Sequence, residues 1–206
     1  MKRMKPLVKE DFEKLSWDKV FPGFNAIRIK TDMDGSCFFH AIAKAYFKPY
    51  INGDTNYRKE YIKSLRKELS IRLGSTVEGS DKTFYQTINN GELPDMAEEL
   101  PECSLEKMQA ELDSSQPISN IYNEFVSDQL DIDIYILDAI KRDVYMTASD
   151  NNVLYKKRKS VVLLYLPGHY ELVGLLRNKE KNIQTLFDAN SPFIRRIQER
   201  MNELCK

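Results

Sequence analysis

The octapeptide Asp34-Gly35-Ser36-Cys37-Phe38-Phe39-His40-Ala41 constrains this chain more than any other feature, because it sets a cysteine between a glycine-containing turn and an amphipathic helix. The strand-like run Ala26 to Lys30 leads into Asp32, Asp34 and Gly35, and apolar residues then recur at Phe38, Ala41, Ile42, Ala45 and Tyr46 with helical spacing. Cys37 therefore falls in the first helical turn. Unpaired backbone N–H groups there carry the positive end of the helix dipole, which lowers a thiol's pKa and can bind a developing oxyanion. The backbone of Asp34, Gly35, Ser36 and Cys37 is the expected oxyanion hole.

A nucleophilic thiol needs a base, and His40 and His169 are the two histidines of the chain. His169 lies far downstream in Leu164-Tyr165-Leu166-Pro167-Gly168-His169-Tyr170-Glu171-Leu172-Val173, where it follows a Pro-Gly turn and opens a strand. An early cysteine with a late histidine is the order of a papain-like thiol hydrolase. His40 shares the helix face of Cys37 and is the runner-up base, although an imidazole three residues along the same helix lacks independent positioning; its other reading is a partly exposed helix residue. Cys37-x-x-His40 could be half of a zinc site, yet no second closely spaced Cys/His pair completes it, so no metal or cofactor is expected. Cys103 and Cys205 have no comparable setting.

The D-G-S-C-F-F-H-A motif, followed by a late apolar strand, a turn and H-Y-E-L-V, resembles the ovarian tumour (OTU) family of cysteine deubiquitinases over roughly residues 23 to 175. The resemblance implies an α/β (α+β) papain-like fold and hydrolysis of the isopeptide bond between the ubiquitin C-terminus and lysine through a Cys37 thioester. It also makes the late histidine, His169, the general base. Ubiquitin and polyubiquitin chains become the expected partners, with ubiquitin-like modifiers as further candidates. Two rival readings use the same residues: a catalytically silent ubiquitin-binding module, and an acyltransferase or transglutaminase.

Two carboxylates compete to orient His169. Glu171 projects to the same side of a strand as His169, although the family more often has Asp or Asn there. Asp34 matches an Asp of the family's early motif, and its alternative is a turn former that bonds nearby backbone N–H groups. Tyr170 is an expected wall of a channel that admits Gly-Gly. The acidic stretch Glu92 to Asp113 includes Glu98, Glu99 and Glu102, and the resemblance places the distal ubiquitin, with its arginine-bearing tail, on this region.

Composition bounds the remaining classes. A chain of 206 residues with net charge +0 fits one domain and is not the basic chain expected of a general nucleic-acid binder. No apolar run approaches membrane-spanning length, the N-terminus lacks the apolar core of a signal peptide, and three cysteines without paired spacing suit a reducing compartment. A cytosolic monomeric enzyme is expected, in a host cytosol if the source is a virus or pathogen. The basic run Lys156-Lys157-Arg158-Lys159 reads as a solvated hairpin loop.

Along the chain, Tyr57 to Leu73 reads as a helix with Tyr61, Leu65, Leu69 and Leu73 stacked and Gly74 ending it. Pro94 and Pro101 are expected to break the acidic stretch before a helix at Ser104 to Leu112, and a further helix carries Ile121, Phe125 and Leu130 inward. Ile132, Ile134 and Ile136 alternate with Asp133 and Tyr135 as a strand with one buried face. Strands are also expected at Val144 to Thr147, Ser160 to Leu166 and His169 to Leu175, the last two as a hairpin. The architecture is a central mixed or antiparallel sheet flanked by helices. Residues 176–206 form an extension whose terminal helix, begun by Ser191-Pro192, docks through Ile194, Ile197, Met201 and Leu204.

Overall fold

The three long apolar runs at 132–138, 159–166 and 169–177 lie side by side at the centre of one mixed sheet in the computed structural model, which describes residues 12–146, 151–177 and 182–205. Its strands are β1 (Phe12–Lys14), β2 (Ala26–Ile29), β3 (Ile132–Asp138), β4 (Asp143–Val144), β5 (Lys159–Leu166), β6 (His169–Arg177) and β7 (Asn182–Gln184). They are ordered β1-β2-β6-β5-β3-β4, with β7 pairing β6. β3 and β5 run parallel and the other pairs antiparallel. β5 and β6 are joined by Pro167-Gly168 alone, with Leu166 opposite His169. Pro fixes the first turn position and Gly168, at φ 73°, supplies the left-handed second one, the pattern of a type II turn.

One face of the sheet carries α1 (Cys37–Tyr46), α2 (Lys48–Asn52), α3 (Thr55–Leu73), α4 (Leu93–Glu99), α5 (Leu105–Leu112) and α6 (Asn123–Leu130). Phe39, Ile42, Leu69, Leu73, Leu112 and Phe125 pack there against Ile27, Ile29, Val161 and Leu172. The short α7 (Asn151–Leu154) precedes β5. On the opposite face α8 (Pro192–Leu204) buries Phe193, Ile194, Ile197 and Met201 with Leu15, Trp17 and Phe21 against Val162, Leu164 and Val173. Ser191 caps α8 through the Ile194 N–H.

This second layer explains why β3 departs from the expected one-sided strand. Asp133 and Tyr135 are each 1% exposed, because α8 and the loop before β5 cover them. Gln198 of α8 donates to the Tyr135 hydroxyl at 2.7 Å, and Arg158 donates to Asp133 at 2.8 Å. The basic run is therefore not simply a solvated loop: Lys156 and Arg158 pair with Asp128, Arg158 also pairs with Asp133, and Lys159 pairs with Asp188.

Other expectations shift for local reasons. α3 starts at Thr55 because the Asp54 side chain accepts from the Tyr57 N–H, and its buried stripe is Ile62, Arg66, Leu69 and Leu73, with Tyr61 and Leu65 half-buried. Pro94 and Pro101 sit in first turns, where a missing N–H is harmless, so they begin helical segments instead of breaking them. α6 begins at Asn123 after a tight turn over Asn120–Tyr122, which leaves Ile121 half-buried. β4 ends at Val144, while Thr147 lies outside the described residues. Leu204, expected on the docking stripe, is 42% exposed at the end of α8.

Candidate active site

Cys37 is the first residue of α1, and its thiol is buried against the start of β6. The Tyr170 N–H donates to Cys37 Sγ at 3.3 Å, so the strand that His169 opens reaches the sulfur through the very next residue. Burial pushes the Cys37 thiol above its ordinary pKa; the N–H groups of Tyr170, Phe38 and Cys37 pull the other way, and nearby Asp34 adds to the rise. The expectation of a lowered thiol pKa is thus reversed. Desolvation of Cys37, a residue 4% exposed, outweighs the helix-start amides.

The turn before Cys37 leaves no slack. Gly35 has φ 79°, and a Cβ on it would lie 2.0 Å from the Ser115 carbonyl oxygen. The same 111–116 segment is fastened by Arg66, a residue of α3 that is 2% exposed. Its guanidinium donates to the carbonyls of Leu112 and Glu111 at 2.9 Å and of Gln116 at 2.8 Å, and to Ser36 Oγ at 2.8 Å. It also lies over the Phe39 ring, 5.0 Å from the centroid. One buried cation thereby ties α3, the end of α5 and the residue preceding Cys37.

A second network fixes the turn from the other side. His40 is fully buried, contrary to the partly exposed residue expected, with Nε2 3.0 Å from Asp34 Oδ2 and Nδ1 bonded to the Tyr50 hydroxyl. Asp34 Oδ1 accepts from the Ser36 N–H at 3.1 Å. Burial raises the Asp34 carboxyl, but the Ser36 N–H and His40 outweigh it and leave the acid below its usual pKa. The Asp34 carboxylate bonds His40 and the Ser36 N–H, the contacts of a turn former, and no hydrogen bond joins it to His169 among the described residues. The Ser36 N–H, expected in the oxyanion hole, is occupied by the same carboxylate.

His169 and Glu171 share one side of β6. Glu171 is buried, yet among the described residues its Oε2 has no hydrogen-bond partner, and it lies 3.7 Å from Arg28 Nε. The His169 ring instead has Nε2 3.4 Å from Thr31 Oγ1. Among the described residues no hydrogen bond joins His169 to Cys37 or to Glu171.

Cys37 opens onto a cleft of about 290 Å³ lined in part by Gly35, Phe38, Ile118, Tyr145, Tyr165 and Tyr170. Asn120 sets its rim, donating to the Tyr145 hydroxyl at 2.8 Å and accepting from the Tyr170 hydroxyl at 2.9 Å. Glu98, Glu99 and Glu102 are exposed on and just after α4. Among the described residues no group of three or more His, Cys, Asp or Glu side chains could hold a metal ion.

Sequence reading missed Arg66, Thr31, Tyr50 and Asn120. Arg66 had a signal, since a charged residue spaced with Ile62, Leu69 and Leu73 on one helical stripe must find buried partners. The others are ordinary polar residues whose partners are distant in the chain.

No family model matches the chain, and no curated protein matches it either. A solved ovarian tumour (OTU) domain in complex with ubiquitin superposes with a TM-score of 0.55 at 16% identity, covering 97% of this chain and 94% of that one. The viral OTU domain protease from Farallon virus gives 0.41 at 17% identity over 76% of this chain and 88% of its own. The Hazara virus OTU bound to ubiquitin gives 0.40 at 14% identity over 84% and 94%. The chain has an OTU-type fold.

Proposed function

We propose that this protein is a thiol-dependent deubiquitinase that cleaves the isopeptide bond between the ubiquitin C-terminus and lysine. The observation that carries the reading is the Cys37 sulfur at the start of α1, in a cleft, 3.3 Å from the amide that follows His169. The OTU-type fold supports it, as does the solved OTU domain that binds ubiquitin.

Because burial keeps the Cys37 thiol protonated, the reaction begins with proton transfer to His169 as sulfur attacks the terminal glycine carbonyl. His169 then gives that proton to the departing lysine amine, leaving a thioester. It next takes a proton from water, which attacks the thioester carbonyl; the C–S bond breaks, ubiquitin leaves with a free carboxylate, and the proton on His169 returns to the Cys37 sulfur. With the Ser36 N–H occupied, the Asp34, Gly35 and Cys37 N–H groups are the remaining expected oxyanion donors on the turn. Tyr170, Tyr145 and Asn120 form the rim that a Gly-Gly tail would pass.

Incubation with a ubiquitin C-terminal amide tests the reading by product analysis. Free ubiquitin carboxylate is expected. Release that requires an added amine and yields only the amine conjugate would replace hydrolysis with transfer, and no reaction with any linkage-defined di-ubiquitin would remove the deubiquitinase reading.

A further inference from the structure

We propose that Thr31 is the positioning residue of His169, fixing the imidazole as its Nε2–H tautomer and leaving Nδ1 as the basic nitrogen. The inference rests on His169 as the general base.

Thr31 lies just beyond β2, whose register with β6 pairs Ile29 with Leu172 and so carries Thr31 toward Tyr170. Its hydroxyl has one proton, and that proton goes to the Tyr170 carbonyl. Only lone pairs remain for His169 Nε2, 3.4 Å away. An acceptor at that position requires an N–H on Nε2, and a neutral ring protonated there has its free lone pair on Nδ1. The Tyr170 unit makes the arrangement directional: its carbonyl orders the Thr31 hydroxyl, while its N–H faces the Cys37 sulfur. One peptide residue thus sets both partners of the reaction.

Neither candidate carboxylate performs this task. Asp34 is spent on His40 and Ser36, and Glu171 Oε2 faces Arg28, whose Nε donates to Glu13 at 3.0 Å. A hydroxyl orients the ring without placing a second negative charge beside the buried thiol, which Asp34 already disfavours as a thiolate.

The test compares Thr31→Val, which keeps shape and removes the hydroxyl, with Thr31→Ser, which restores it. Side-chain 15N NMR of the free protein should show His169 as the Nε2–H tautomer in the parent and in Thr31→Ser, and a mixture in Thr31→Val. The two histidines are assigned with His169→Ala. On a ubiquitin amide, Thr31→Val should lower kcat about 3- to 10-fold with KM unchanged, the size expected for one neutral hydrogen bond. An Nδ1–H tautomer in the parent, or a Thr31→Val protein with unchanged tautomer and kcat, would overturn the proposal. The NMR arm needs no substrate, so failure to cleave ubiquitin would remove the deubiquitinase reading and leave the Thr31 test intact.

Discussion

The turn that carries Cys37 is fastened from two sides by buried networks, whereas the His169 ring, at the tip of its hairpin, has a single side-chain hydrogen bond among the described residues. Arg66 clamps the Cys37 turn from α3, and the Asp34, His40 and Tyr50 chain holds it from α1 and α2. His169 follows the exposed Pro167-Gly168 turn, and among the described residues the Thr31 hydroxyl is the one side chain that hydrogen-bonds its ring. The difference assigns different tasks to the two halves. Under the proposed mechanism Cys37 is preorganised at the expense of an elevated pKa, and His169 would close on it when substrate fills the cleft, as catalytic hydrogen bonds often tighten only in the substrate complex.

The largest effect should come from the preorganised half. Cys37→Ala is expected to abolish reaction with a ubiquitin-based suicide probe, while Cys103→Ala and Cys205→Ala retain it. Continued labelling of the Cys37 variant at the parent rate would remove both the nucleophile and the comparison.

His169→Ala should lower turnover by about two to four decades, the usual contribution of a general acid–base residue. It should also expose the intrinsic character of the thiol. Because burial raises the Cys37 pKa above its ordinary value of 9.0, alkylation by iodoacetamide in this variant should keep increasing with pH beyond the range of a free cysteine. A rate that levels off near neutral pH would mean that the helix-start amides, and not burial, govern the sulfur.

The Arg66 clamp gives a smaller but sharper test. Arg66→Met removes the donor to the buried Leu112 carbonyl, the Gln116 carbonyl and the Ser36 hydroxyl, while the Glu111 carbonyl keeps its bond from Ser114, and a loss of about 3 kcal/mol in urea unfolding is expected. Arg66→Lys keeps the charge, loses the planar fork, and should fall between Met and the parent in both stability and turnover. If Arg66→Lys matches the parent in both, the clamp does not position the turn.

The same contrast explains what the sequence made legible. Cys37, its turn, the Pro-Gly hairpin and the Ser191 cap are local patterns, written in adjacent residues, and the long central strands follow from apolar runs. The two-sided burial of β3 was not legible, because it depends on α8, which comes much later in the chain and covers Asp133 and Tyr135. The networks at Cys37 were hidden for the same reason: Arg66 meets Ser36 and Leu112, and Thr31 meets His169, only after the sheet and helices have assembled. Even the sign of the thiol's pKa shift depended on this, since a helix start lowers it locally and the tertiary packing raises it more.

The smallest expected effect lies outside both halves, on the acidic surface at the end of α4. Glu98, Glu99 and Glu102 are exposed and, among the described residues, form no ion pair, so their charge is available to a basic partner. The ubiquitin tail carries arginines, and attraction between the two should act mainly on encounter and affinity. Exposed pairs contribute about 0.2–1 kcal/mol each, which makes a single Glu98→Gln change hard to resolve. Combined replacement of the three by Gln should raise KM for a ubiquitin amide by about 3- to 10-fold and flatten its salt dependence, with kcat at saturation preserved. Unchanged KM and salt slope would reduce this stretch to a solvated face. A fall in kcat instead would show that it communicates with the His169 hairpin, and that substrate binding, not the resting fold, completes the less constrained half of the site.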